Sequence, residues 1–193
     1  MKGTIFNTFE AFVSDTFGEE VYEDILDNTT LETTEPIVGP GTYPASDLIA
    51  LVTTAIGILD ISLDTALIEF GKYAFPKLAQ SIPDLMAGLH GAESFFMGLE
   101  SVIHTEVRKL DAEANPARFT PEKTEDGMLL HYESPLGLFP LVTGFIEGVS
   151  AWYDEPIEHE MISSDGTNAT FKLAFPASTS ASQRENEALA ARS

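Results

Sequence analysis

Apolar residues recur at three- and four-residue spacing almost from the first position: Ile5, Phe6, Phe9, Val13 and Phe17 form one stripe of an amphipathic helix. Gly18 closes it. EEVYEDILDN follows as a short second helix, with its early glutamates matched to the positive end of the helix dipole and Val21, Ile25 and Leu26 turned inward. From Thr29 to Tyr43 the pattern gives way to Thr, Pro and Gly. The GPGTYP run there is a loop and not a phosphate cradle, since it lacks the P-loop lysine and the dinucleotide glycine spacing. Ser46 and Asp47 then cap a helix that runs to Leu59. SLDTALIEFGKYAF supplies another, with Leu63, Leu67 and Phe70 on one face and Asp64 and Glu69 turned to water. Pro76 and Pro83 bracket a short irregular or helical piece.

The stretch from Gly91 to Leu110 organises the rest. Phe96, Leu99, Ile103, Val107 and Leu110 share one helical stripe, and His104 sits about a quarter-turn from its middle. A neutral imidazole at such an edge is either a hydrogen-bonded histidine or a metal ligand, and the helix alone leaves both open. Asn115, Pro116 and Pro121 then end the helical texture, and the period falls to two. Met128, Leu130 and Tyr132 alternate as a strand does, after an EDG turn signal. A helix from about Leu138 to Trp152 follows, and then two alternating runs, EHEMISS and ATFKLAF, joined at Asp165-Gly166 as a hairpin. Residues 176–193 are Ser- and Ala-rich and read as a disordered or weakly helical tail. The order predicts an α+β fold: a helical N-terminal lobe, about 1–60, packed on a C-terminal lobe, about 61–175, with a small antiparallel sheet, all within one domain.

Composition narrows the chemistry. Thirty-one acidic side chains against ten basic ones leave a net charge of −21 with no basic patch, which sets aside nucleic acid and anionic lipid as partners. There is no cysteine, so disulfides, thiolate metal sites and cysteine nucleophiles are excluded. The amphipathic, acidic N-terminus is unlike a secretory signal, and no apolar run reaches membrane-spanning length, which points to a cytoplasmic protein. His90, His131 and His159 are isolated and no hydrolase signature is present, so an enzyme is not expected.

Four pieces then stand in a shared order and spacing: MKGTIFN, FGEEVYEDIL, LIEFGKY, and the His104 helix followed by HYESP. Through them the chain, from Met1 to about Phe175, resembles the heme-nitric oxide/oxygen-binding (H-NOX) family, the sensory module also found in soluble guanylate cyclase. The resemblance implies a heme pocket between the two lobes, holding heme b (iron protoporphyrin IX), with His104 as proximal iron ligand. It places Tyr132 and Ser134 at the first two positions of the Tyr-x-Ser-x-Arg motif that binds the propionates. Alternate residues of a strand face the same way, so both hydroxyls can reach one propionate edge.

Two departures stand out. Leu136 replaces the motif arginine, and losing that charge-assisted pair would weaken heme retention by roughly ten- to a hundredfold. His131, Arg118 and Lys123 are the substitute donors to consider. Ala117 stands where the family commonly has a proline pressing on the heme, so the macrocycle would sit flatter. The opposite wall is matched by Ile5, Phe9, Val13, Ala74, Leu78, Leu141 and Phe145. Oxygen-binding members carry a tyrosine donor at the position of Leu141, and an all-apolar wall selects NO and CO over dioxygen. The implied function is a heme-based sensor that binds nitric oxide at ferrous iron, releases its proximal histidine and shifts the helix that carries it. The implied partner is a separate histidine kinase or a cyclic-di-GMP synthase or phosphodiesterase. The alternative is a docking module of the same fold with weak or no heme binding, because of Leu136.

Overall fold

The structure, a computed structural model, describes residues 2–100 and 117–176. His104, most of its expected helix and the tail beyond Pro176 lie outside the described residues. Within them the chain forms α1 (Gly3–Phe17), α2 (Glu19–Asp27), α3 (Ala45–Leu59), α4 (Leu63–Ser81), α5 (Pro83–Met86) and α6 (Ala92–Gly98). Then come β1 (Arg118–Thr124), β2 (Gly127–Glu133), α7 (Phe139–Tyr153), β3 (Glu158–Ser164) and β4 (Asn168–Ala174). The fold is α+β, as the periodicities predict.

The helical stripes bury in part: Phe6, Phe9 and Val13 of α1 are buried as expected, whereas Ile5 on the same stripe and Leu63 on the α4 stripe stay 40% and 46% exposed. Gly18, at φ +107°, ends α1 and donates its N–H to the Ser14 carbonyl. In α2, Ile25 is fully buried, but Leu26 remains 38% exposed. A helix this short presents one narrow stripe, and Leu26, about 100° round from Ile25, falls off it. Ser46 and Asp47 do not cap α3, which starts after Pro44 with no side-chain cap. Asp47 lies inside the helix and is buried, where Glu32 N, Thr33 N and Thr33 Oγ1 donate to its carboxylate at 2.7, 3.1 and 2.6 Å. It ties the 29–43 loop to α3. Finally, α4 does not stop before Pro76 but runs through it to Ser81. Pro76 lacks the N–H that would bond the Lys72 carbonyl. Burial of Phe75 and Ala79, both 2% exposed, keeps the helix going regardless.

Helix α4 serves two cores. Phe70 and Tyr73 pack on the cluster formed by Phe6, Phe9, Phe12, Val13, Ile25 and Leu51. Phe75 and Ala79 belong to a second cluster built on the sheet, α6 and α7. α7 crosses α4 at glycines: a Cβ on Gly144 would strike the Ile68 carbonyl oxygen, and one on Gly148 would come within 2.9 Å of the Phe75 Cβ. Beside this crossing, Lys72 Nζ lies 2.6 Å from Glu147 on α7 and 2.9 Å from Glu69 on its own helix.

The sheet runs in the order β1-β2-β4-β3, and every neighbouring pair is antiparallel. Pro121 is tolerated because β1 is an edge strand. The Asp165-Gly166 turn forms as predicted, with the Asp165 carboxylate accepting from the Thr167 and Asn168 backbone N–H groups at 3.1 and 2.8 Å. Met128, Leu130 and Tyr132 of β2 face inward with Ala169, Phe171 and Leu173 of β4. Their neighbours Leu129, His131 and Glu133 take the opposite face.

Candidate functional site

A cavity of about 540 Å³ lies between the two cores. Its walls come from one stripe each of α1, α3, α4 and α7, closed by β1, β2 and by Phe95 and Phe96 of α6. Its volume falls inside the range of about 300–1,000 Å³ usual for cofactor and small-molecule pockets. Among the described residues, only Tyr132 and Ser134 bring a polar side chain to its lining, and no charged residue does.

Strand β2 delivers both hydroxyls. Tyr132 and Ser134 are two positions apart, so they share the inner face, and both are buried. The Tyr132 ring is held between Phe119 and Phe139, with centroids 5.3 and 5.8 Å away. Ser134 sits just past the strand, its N–H donating to the Thr167 carbonyl at 2.9 Å and its Oγ accepting from Leu136 N at 3.3 Å. That turn leaves Leu136 at the cavity and 67% exposed.

The structure brings together Ile5, Phe9, Val13, Leu78, Ala117, Tyr132, Ser134, Leu141 and Phe145 around this one cavity. Ala74 is not in its lining, since on α4 that wall is made instead by Phe70, Phe75, Leu78 and Ala79. The three substitute donors lie elsewhere. His131 faces the outer side of the sheet, with Nδ1 3.1 Å from Thr170 Oγ1 and Nε2 3.3 Å from Glu122. Arg118 shares that face beside Glu133, at 3.8 Å, and Lys123 pairs with Glu93 on α6 at 2.8 Å.

The sequence model of the Haem-NO-binding family (HNOB) matches residues 2–161. The chain belongs to this family. Its members are heme-based gas sensors, and heme brings iron to the fold. An H-NOX protein from K. algicida, solved in the Fe(II) unliganded state, is 28% identical with a TM-score of 0.79, over 91% of this chain and 96% of that one. An H-NOX protein from S. oneidensis in the Fe(II)NO state shares the fold, with a TM-score of 0.82 and 23% identity over 91% of this chain and 99% of that one. A mutant H-NOX from T. Tengcongensis does so at a TM-score of 0.80 and 20% identity, covering 91% and 97%. No curated protein matches the chain. Among the described residues no single helix is long and apolar enough to cross a membrane.

The residues of this H-NOX domain fit a porphyrin in shape and chemistry. A flat, mostly apolar disc with two carboxylates on one edge needs broad apolar walls and donors at one rim, and this cavity offers both. Ile5 and Leu78, 40% and 41% exposed, present aliphatic surface to it. Covering such surface contributes about 25 cal/mol per Å². Among the described residues, no cation joins the lining.

Several lining positions were missed by sequence reasoning, notably Leu48, Val52, Ala55, Ile56 and Leu59 of α3 and Phe75 of α4. The α3 residues do repeat at helical spacing, so the stripe was visible. Nothing in the spacing separates a stripe that faces a cavity from one that faces a core.

Proposed function

We propose that this domain holds heme b in the inter-core cavity, with His104 as the proximal iron ligand, and that it senses NO, with CO as a second diatomic ligand. Bound there, the ferrous iron supplies the coordination site for the gas. Tyr132 and Ser134 donate to the propionates, held in place by the aromatic pair around Tyr132 and by the turn at Ser134. Leu141, Phe145, Ile5, Phe9, Val13 and Leu78 exclude water and offer no hydrogen-bond donor. That favours NO and CO, which need none, over dioxygen, which does. With heme bound, His104 would be its proximal ligand, and release of that ligand on NO binding would be the output, passed to a separate histidine kinase or a cyclic-di-GMP synthase or phosphodiesterase. The reading treats residues 1–175 as one cytoplasmic sensor domain with no catalytic activity of its own.

The observation that carries this reading is the apolar cavity to which, among the described residues, only the hydroxyls of Tyr132 and Ser134, at the end of β2, bring polar side chains. Heme titration tests it. Trp152, the one tryptophan, packs 6.2 Å from Phe75, whose ring lines the cavity, so heme binding quenches its fluorescence. Stoichiometric quenching that weakens in Tyr132→Phe and Ser134→Ala is expected; quenching indifferent to both would place the heme elsewhere.

Exposed Leu136 and the uncharged lining favour a second reading, a partner-docking module of the same fold that retains little heme. Leu136→Arg separates the two. A large gain in occupancy from almost none supports the docking module, and a modest gain from an already loaded protein supports the sensor.

A further inference from the structure

Helix α6 leads through a helical turn at Leu99 and Glu100 toward the segment that carries His104. It is held from outside at its first residue and again past Gly98. At its start, Ala92 is fully buried and its N–H donates to Glu155 Oε2 at 2.9 Å. Gly91, at φ +89°, is the residue that permits this, because a Cβ there would stand 2.8 Å from Glu155 Oε1. The carboxylate is itself braced: Glu155 N–H donates to the Ser150 carbonyl at 3.1 Å, and its own carbonyl accepts from Ser150 Oγ at 2.7 Å. Tyr153 adds a bond from its hydroxyl to the Leu89 carbonyl at 3.1 Å and a ring contact with Phe95 at 6.4 Å. At the far end, Phe119 N–H donates to Glu100 Oε2 at 3.1 Å, four positions before His104. The parts that grip α6 are α7 and β1, and the same two elements wall the cavity through Leu141, Phe145 and Phe119.

We propose that Glu155 and Glu100 are positioning residues: two carboxylates that set the placement of the His104 segment relative to the cavity walls. The proposal rests on His104 as the iron ligand. An anion at the first N–H of a helix is favoured by the helix dipole as well as by the charge-assisted bond, so a neutral acceptor at position 155 holds α6 less firmly. A purely structural role would lower stability alone, whereas a positioning role also alters the iron–histidine bond.

The test uses the full-length chain in two forms. In the heme-free protein, hydrogen exchange of the α6 amides should quicken by roughly tenfold in Glu155→Ala and less in Glu155→Gln, which keeps an acceptor oxygen. In the reduced heme-loaded protein, the iron–histidine stretching band seen by resonance Raman should shift or broaden in Glu155→Ala and in Glu100→Gln, and recover toward wild type in Glu155→Gln. If Glu155→Ala does not fold, Gly91→Ala perturbs the same contact from the other side and serves in its place. Unchanged exchange overturns the proposal, as does quickened exchange with an unshifted band. If the wild-type protein takes up no heme, the iron-ligand reading fails by that fact, and exchange in the heme-free protein still decides whether the carboxylates hold the segment.

Discussion

Leu136 is the residue at which this chain departs most consequentially from its family's pattern. Its side chain stands at the cavity rim, two thirds exposed, and can neither donate to a propionate nor neutralise one. Arg118, Lys123 and His131 stand beside Glu133, Glu93 and Glu122 and are not part of the cavity lining. Leu136→Arg is therefore expected to slow heme loss to an acceptor apoprotein by roughly ten- to a hundredfold, read from the transfer rate. Asp47 carries a second residue-scale prediction. The Thr33 hydroxyl, opposed by burial and aided by the Glu32 and Thr33 N–H groups, holds its carboxyl below the ordinary carboxylate value. A depressed value in the folded state means that the stabilisation is present above about pH 4 and is lost as pH falls through the folded value. Asp47→Asn should lower the urea midpoint at pH 7 and flatten its decline below about pH 4. A decline as steep as wild type would refute this assignment.

At the scale of elements, the crossing of α4 and α7 sets how the cavity is walled. Gly71, Gly144 and Gly148 bring the two backbones together, and a methyl at Gly144 has the Ile68 carbonyl in its way. Gly144→Ala is expected to cost about 1–3 kcal/mol, lowering the thermal midpoint by roughly 2–12 °C as followed by far-ultraviolet circular dichroism. An unchanged midpoint would show that the helices separate freely. This crossing also marks where the sequence stops being informative. The stripes of α1 and α2, the alternation of β2 and β4 and the Asp165-Gly166 turn were legible because each depends on local spacing. Continuation of α4 through Pro76 was not, since burial of Phe75 and Ala79 against α7 overrides a strong local breaker. Asp47 looked like a cap because its type and place fit one, and its true partners lie fourteen and fifteen residues earlier in the chain. A minority of the residues around the cavity came from the family resemblance, and the whole α3 wall had to wait for tertiary contacts.

For the molecule as a whole, the cavity is where two hydrophobic cores meet, joined by the single helix α4. A ligand bound there touches both, so it should stabilise them as one unit. At a free heme concentration a hundred times its dissociation constant, the gain is about 2.7 kcal/mol, or a rise of roughly 5–11 °C in the thermal midpoint. Calorimetry should show one transition moving upward, whereas two transitions of which one moves would contradict a shared site. The proposed sensor would hold heme on His104 in this cavity and offer it to NO. Anaerobic absorbance spectroscopy of the reduced, heme-reconstituted protein tests it most directly. The account predicts a Soret band that is lost or strongly altered in His104→Ala and that shifts on addition of NO but not of dioxygen. A band indifferent to His104, or one that NO leaves unmoved, would contradict it.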